Sequence, residues 1–376
     1  MSAQQGPGDP TPPDAAGTRL LVAAANFAGQ GRAWADAAGS IPDISATSFA
    51  VEDPTGLTLP AHHFVGKEQF ADPQWAATHE EWVRSFTHVL IEAGRPVTGL
   101  VHGLDAYGDA DVLGAAGVRV GMVAHGSDVR RPDRHEAIEP DSPFPRVSAR
   151  IRATRQKYAD RIAPLMDAAQ WSFVSTPDLV DDVPRARWLP VVVDVERWSG
   201  DEIGARDRGV APVVSHIPSN AMWKGTELVE PVLEELAAAG HIQYRPVRGV
   251  PQPEMPAAIA ASEIVLDQFA LGSYGVAAVE AMAAGRVVVG HVRPEVRARV
   301  LAATGLELPV VQARAAEVAD VLRDLIDDPA RCREVGEAGA VFARAVHDGR
   351  ASALVLEGYL HGPEVRVGSR ADQHTP

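Results

Sequence analysis

Three short stretches hold residue types whose spacing could do chemistry. In LGSYGVAAVEAMAAG, Leu271 to Gly285, a glycine-bearing loop opens an alanine-rich helical stretch with one carboxylate, Glu280. Such a loop offers free backbone N–H groups and the positive end of a helix dipole, which suits a phosphate, and a glycine lets the anion approach the backbone closely. Glu280 stands just over one turn below that seat, where a carboxylate could accept hydrogen bonds from vicinal ribose hydroxyls. On spacing alone, a tight βα turn followed by an ordinary helix glutamate fits equally well. In AHGSDVRRPDRH, His125 follows an apolar run directly, and Asp128, Arg130, Arg131, Arg134 and His135 make an unusually polar loop. That loop could hold an anionic acceptor or a sugar carboxylate, or be a solvated turn with internal ion pairs. In ANFAGQGRAWADAAG, Gly29 and Gly31 open the first helix, without the third glycine or the acidic strand end of a dinucleotide site.

These residues must be held by a scaffold, and its rhythm is regular. Apolar runs read as buried strands at RLLVAAA, THVLIEA, VRVGMVAHG and WSFVST in the first half, and at PVVSHI, IQYRPV, EIVLDQF and RVVVG in the second. Amphipathic or alanine-rich segments such as TELVEPVLEELAAAG lie between them. Strand and helix in alternation predict an α/β fold of βαβ units, two doubly wound parallel sheets covered on both faces. A polar, glycine-containing stretch after Trp198 predicts a linker at 194–210 between domains at 18–193 and 211–348. A last helix at 349–362 is placed against the first domain, with a flexible leader at 1–17 and tail at 363–376. Ligands in such sheets bind beyond the carboxyl ends of the strands, so the main site is expected in the cleft between the domains.

The 376 residues exceed what one core usually fills. With 35 basic and 50 acidic residues, the net charge of −15 argues against nucleic acid as a partner. The single cysteine, Cys332, excludes a disulfide framework and a cysteine-rich zinc site. No apolar run is long enough to span a bilayer, and the N-terminus lacks the marks of a signal peptide, so a cytoplasmic location is expected. Asp109-Ala110-Asp111 reads as helix-start carboxylates rather than a metal motif, and His62-His63 would need a third ligand to hold zinc. Five tryptophans, 75, 82, 171, 188 and 198, read as core or interface. No nucleophile elbow suggests a hydrolase.

GSYGVAAVEAMAAGRVVV resembles the nucleotide-sugar-binding signature of retaining GT-B glycosyltransferases of the family 4-like group. SHIPSNAMWKGTEL resembles the same family's strand, loop and Lys-Gly segment. VRGVPQPEMPAAIAASEIVL resembles its base-binding loop, and MVAHGSD its acceptor-domain strand end with the active-site histidine. The resemblance implies a GT-B fold of two Rossmann-like domains facing a deep cleft. Its activity would be metal-independent transfer, with retention, of a sugar from a nucleotide-diphosphate sugar to the hydroxyl of a small molecule or glycan. No cofactor is implied beyond that co-substrate, and no metal. By the same resemblance Lys224 and the amides of Ser273, Tyr274 and Gly275 hold the diphosphate, Glu280 the ribose, and Arg248 and Gly249 the base. His125 lies beside the transferred sugar, while Gly29, Gly31 and Asp128 face sugar or acceptor.

Two positions depart from the pattern. Gly272 stands where the family has the first glutamate of its Glu-x7-Glu pair, a sugar contact, and Pro218 where it has a diphosphate-binding arginine. Asp267, Gln268, His216 and Asn220 are the neighbours available as replacements. A nucleotide-sugar epimerase of the same fold, or a non-catalytic sugar-nucleotide-binding protein, are the alternative readings.

Overall fold

The computed structural model describes residues 17–52, 59–199 and 210–362. The leader through residue 16, the tail from 363 and residues 200–209 of the linker lie outside the described residues. Seven parallel strands form the first sheet: β1 (Thr18–Ala24), β2 (Ile44–Val51), β3 (His63–Val65), β4 (His88–Glu92), β5 (Arg119–Ala124), β6 (Ser172–Val174) and β7 (Arg187–Trp188). Their spatial order is β3-β2-β1-β4-β5-β6-β7. Five parallel strands form the second sheet: β8 (Val213–His216), β9 (Gln243–Pro246), β10 (Ile264–Leu266), β11 (Val287–Gly290) and β12 (Val310–Gln312), in the order β12-β11-β10-β8-β9.

The central strands are buried along their length, as in His88–Glu92 and Val287–Gly290, because helices cover both sheet faces. The helix Thr226–Ala238 shows the complementary rule, turning Val229, Leu233 and Leu236 to the sheet at helical spacing. Each of those side chains contributes about 1.5–3 kcal/mol by leaving water. All eight apolar runs read as strands contain one. β2, β3, β7 and β12 were not anticipated: β2 interleaves Ser45, Thr47 and Ser48 with its apolar residues, and the others span two or three residues each.

Residues 194–198, assigned to the linker, form a helical turn in which Asp194 accepts from the Arg197 amide (3.2 Å) and Trp198 packs into the second core. The terminal helix Arg350–His361 lies against the helix Gln30–Gly39. Its Tyr359 is fully buried, and its hydroxyl donates to the carbonyls of Val89 (3.0 Å) and Arg119 (2.7 Å). The last described helix thus packs against the first domain. Among the described residues no helix is long and apolar enough to cross a membrane.

In each sheet the strand order reverses at one place, between β1 and β4 in the first and between β8 and β10 in the second. Helices leave to opposite faces there, so a crevice opens beyond the strand ends. Phe27, Glu92 and His125 follow or end β1, β4 and β5; Lys224 and Asp267 follow β8 and β10.

Candidate active site

A cavity of about 780 Å³ lies between the two sets of strand ends. Such a volume falls in the range of small-molecule sites. His125, Lys224, Gly249, Gly275 and Glu280 all line it.

On the second domain's side, Asn220 accepts from the Trp223 amide (3.3 Å) and caps the turn Ala221–Lys224. Gly225 then reverses the chain at φ +73°, packed so closely on Ala270 that a Cβ would lie 3.2 Å from it. This geometry sends Lys224 back across the sheet to the start of the helix Val276–Ala283. Its ammonium lies 2.5 Å from Asp267, whose other oxygen accepts from the Gly275 amide (3.2 Å). A Cβ on Gly275 would sit 3.3 Å from the lysine nitrogen. A cation, a free helix end and a glycine that keeps the approach open therefore converge on one point, occupied by the buried Asp267 carboxylate.

Glu280 faces the cavity from the same helix and makes no hydrogen bond or ion pair among the described residues. Burial raises its carboxyl from 4.5 to about 7, against the opposing pull of Arg197 and Lys224. Gly249 (φ +65°) continues the wall with Val250, Pro251 and Gln252, beside Val247 and Met255. Arg197 reaches this loop at the Gln252 side chain (2.6 Å).

Other residues anticipated for the site are not brought to it. Arg248 is exposed and paired with Glu230 on the surface. Ser273 and Tyr274 are buried, with the Tyr274 hydroxyl 3.3 Å from His347, so of that trio only Gly275 lines the cavity. Gln268 donates to the Ser273 carbonyl (2.7 Å), and His216 is fixed between Leu266 (3.0 Å) and Thr226 (2.8 Å). Among these only Pro218, which offers no donor, reaches the cavity wall.

Gly272 has a structural reason. Its φ is +67°, and a Cβ there would lie 2.7 Å from Arg293 and 2.9 Å from Glu139. The space a side chain would need is filled by groups that join the two domains. Glu139, from the first domain, is bound by His291 (2.7 Å) and Arg314 (3.0 Å) of the second. Burial pushes the Glu139 carboxyl up, yet these two partners hold it below the usual range. Asp181 similarly binds Arg293 (2.7 Å) and Arg299.

On the first domain's side, His125 Nε2 lies 3.0 Å from the fully buried Glu92. The other Glu92 oxygen accepts from the amides of Ala25 (3.1 Å) and Asn26 (2.9 Å). Gly31 is what makes room for it, since a Cβ there would come within 2.6 Å of that carboxylate. Gly29 turns the chain into the helix at φ +74°. Asp128 does not face the cavity: its two oxygens accept from the amides of His125 and Gly126, fixing the histidine backbone. Of the basic loop Arg130 lines the cavity, held on the buried Asp178 (2.5 Å), while Arg131 pairs with Asp133 (2.8 Å) and Arg134 lies near Asp181 (3.7 Å). Asp109 accepts from Thr98 (2.5 Å) inside the first core, a structural carboxylate.

Phe27, Trp198 and Trp223 line the cavity, and Glu92 orients His125 from behind it, though none was singled out as a site member. Glu92 carried a signal, a charge closing the apolar run THVLIEA. Trp198, read as core or interface, is buried and also lines the cavity.

No protein-family model and no curated protein sequence matches the chain. Solved structures do. Anabaena HepE in complex with UDP and glucose aligns over 92% of this chain and 100% of its own, at 13% identity and TM-score 0.54. Sucrose-phosphate synthase from Thermosynechococcus elongatus aligns over 91% and 98%, at 11% identity and TM-score 0.58. A glycosyltransferase from Rickettsia africae aligns over 93% and 100%, at 9% identity and TM-score 0.52. At such identities the likeness shows the fold, which is the GT-B arrangement of two Rossmann-like domains across a cleft.

Proposed function

We propose that the protein is a glycosyltransferase that binds a nucleotide-diphosphate sugar in this cavity and passes the sugar to an acceptor hydroxyl. One observation carries the reading: Lys224 and the Gly275 amide converge just above the unpartnered Glu280, in one shared cavity. The diphosphate takes Lys224 over from Asp267, and the helix end stabilises the charge that grows as the glycosidic bond breaks. Glu280 accepts from the ribose hydroxyls, and the base lies along Val247, Gly249 and Met255. His125, oriented by Glu92, faces the transferred sugar. The resemblance to family 4-like enzymes favours retention of configuration without a metal.

The test is direct. Calorimetry with UDP, GDP and their sugars should detect binding, and Lys224→Ala should weaken it by at least tenfold, the worth of one charge-assisted contact. Anomeric NMR of the product would decide retention, and unchanged rates in chelator would support metal independence. Equal nucleotide affinity in wild type and Lys224→Ala would overturn the assignment.

The filled space at Gly272 favours a second reading, a sugar-nucleotide-binding protein without turnover. It expects binding of the same ligands and no nucleoside diphosphate release with any acceptor.

A further inference from the structure

The first domain's half of the cavity is walled by Phe27, Ala28, Leu59 and Phe144, and closed from the other side by Trp223 and Leu271. Phe27 lines the cavity and is 37% exposed, with the Arg95 guanidinium over one face of its ring (4.6 Å) and the other left to the opening. It is held there by a run of left-handed backbone, Asn26 (φ 49°), Ala28 (φ 51°) and Gly29 (φ 74°). Two of these are L-residues, for which the conformation is costly and persists only where the surroundings enforce it. Asn26 does the enforcing. Its side chain donates to the carbonyls of Leu59 (3.1 Å) and Pro60 (3.1 Å) and accepts from the Arg32 amide (3.0 Å). Phe27 and Leu59 are thereby clamped as two sides of one slot, with the His125 ring edge-on to Phe27 at 5.3 Å.

A glycan bound there would present many hydroxyls, and each one buried without a partner is costly. The carboxylates and amides that bind sugar hydroxyls are already engaged. Glu92 holds His125 and two amides, Asp128 holds the His125 and Gly126 amides, and Asp178 holds Arg130. Gln30 is bound at both ends to the Val192 backbone (2.7 and 3.0 Å). Arg155 reaches the Ser127 carbonyl (3.4 Å). Among the described lining residues the rest of this half offers donors from Arg130 and Arg155, small hydroxyls and the histidine, but no free carboxylate or amide to accept from a sugar hydroxyl.

We infer that the acceptor is a flat, apolar ring compound bearing a hydroxyl, a phenol or alicyclic alcohol, and not a glycan. Its ring lies on Phe27 between Leu59 and Phe144, with its hydroxyl at His125. In the transfer the acceptor oxygen bonds to the anomeric carbon, that carbon's bond to the diphosphate oxygen breaks, and the hydroxyl proton leaves with the nucleoside diphosphate. The inference rests on the donor reading above.

Titrating 2-naphthol and maltose separately into the full chain, with and without saturating UDP, tests it. The expected result is 2-naphthol binding at least tenfold tighter than maltose, and about tenfold weaker in Phe27→Ala, the worth of one aromatic contact. Leu59→Glu should weaken it similarly by placing a charge in the slot. Maltose binding as tightly as 2-naphthol, or wild-type affinity for 2-naphthol in both variants, would overturn the inference. Binding of 2-naphthol without any binding of UDP would remove the donor assignment and leave the apolar slot standing.

Discussion

Replacing Glu280 by glutamine should make the protein more stable and a poorer nucleotide binder. The side chain is half-buried in the cleft wall without a partner, and its desolvation raises its carboxyl from 4.5 to about 7. Between those limits the folded state holds the proton more tightly than the unfolded chain does, so the fold loses stability as pH rises through that window. At about 1.4 kcal/mol for each pH unit, the interval from 4.5 to 7 amounts to about 3 kcal/mol, fully lost above pH 7. Glutamine has nearly the same shape and carries no charge to desolvate. Its advantage should be about 3 kcal/mol at pH 8 and below about 1 kcal/mol at pH 5. Ribose hydroxyls donate to the ionised acid, so in the wild type nucleotide binding should weaken as pH falls below 7. The variant should lose about 1.5–3 kcal/mol of binding, the value of hydrogen bonds to a charged group. Urea titrations of both proteins at pH 5 and pH 8, with UDP calorimetry at the same pH values, measure all of this. A variant less stable than the wild type at pH 8, or one binding UDP with undiminished affinity, would refute the reasoning.

Three further outcomes follow from the same geometry. Asp267→Ala leaves the part-buried Lys224 ammonium without its carboxylate and should destabilise the fold by about 1–3 kcal/mol; inorganic pyrophosphate should then raise its melting temperature more than the wild type's. Gly272→Glu, which installs the residue of the signature that this segment resembles, should cost about 2–4 kcal/mol of stability from a left-handed backbone and collision with Arg293 and Glu139, read as a lower urea midpoint. Gly31→Ala should cost about 1–3 kcal/mol by pressing on Glu92, and should lower the transfer rate by disturbing His125 while UDP affinity stays unchanged in calorimetry.

What could be read from the sequence was whatever one element carries along its own length. Gly275 and Glu280 share a helix, Lys224 ends a single turn, and the apolar runs announce parallel strands without their order. Pairing across elements was invisible. Glu92 and His125 stand on adjacent strands 33 residues apart, and nothing local to either foretells a hydrogen bond between them. The basic loop after His125 looked available for an anion because its carboxylate partners come from Asp178 and Asp181, on a distant turn. Arg248 sits beside a cavity residue in sequence, yet is drawn off by Glu230. Gly272 read only as a missing sugar contact, because the Arg293 and Glu139 side chains that fill its space come from elsewhere in the chain. β2 was hidden by a run of serines and threonines, which suits a strand near the sheet's edge better than one at its centre.

The contacts Glu139 makes with His291 and Arg314 tie the two halves at the very loop that opens the helix Val276–Ala283. Prising the halves apart would break both of these contacts and those of Asp181 with Arg293 and Arg299 at once, with only water offered in return. An unloaded molecule should therefore tumble as one rigid piece, and its substrates should thread in along the rim instead of dropping into a gaping jaw.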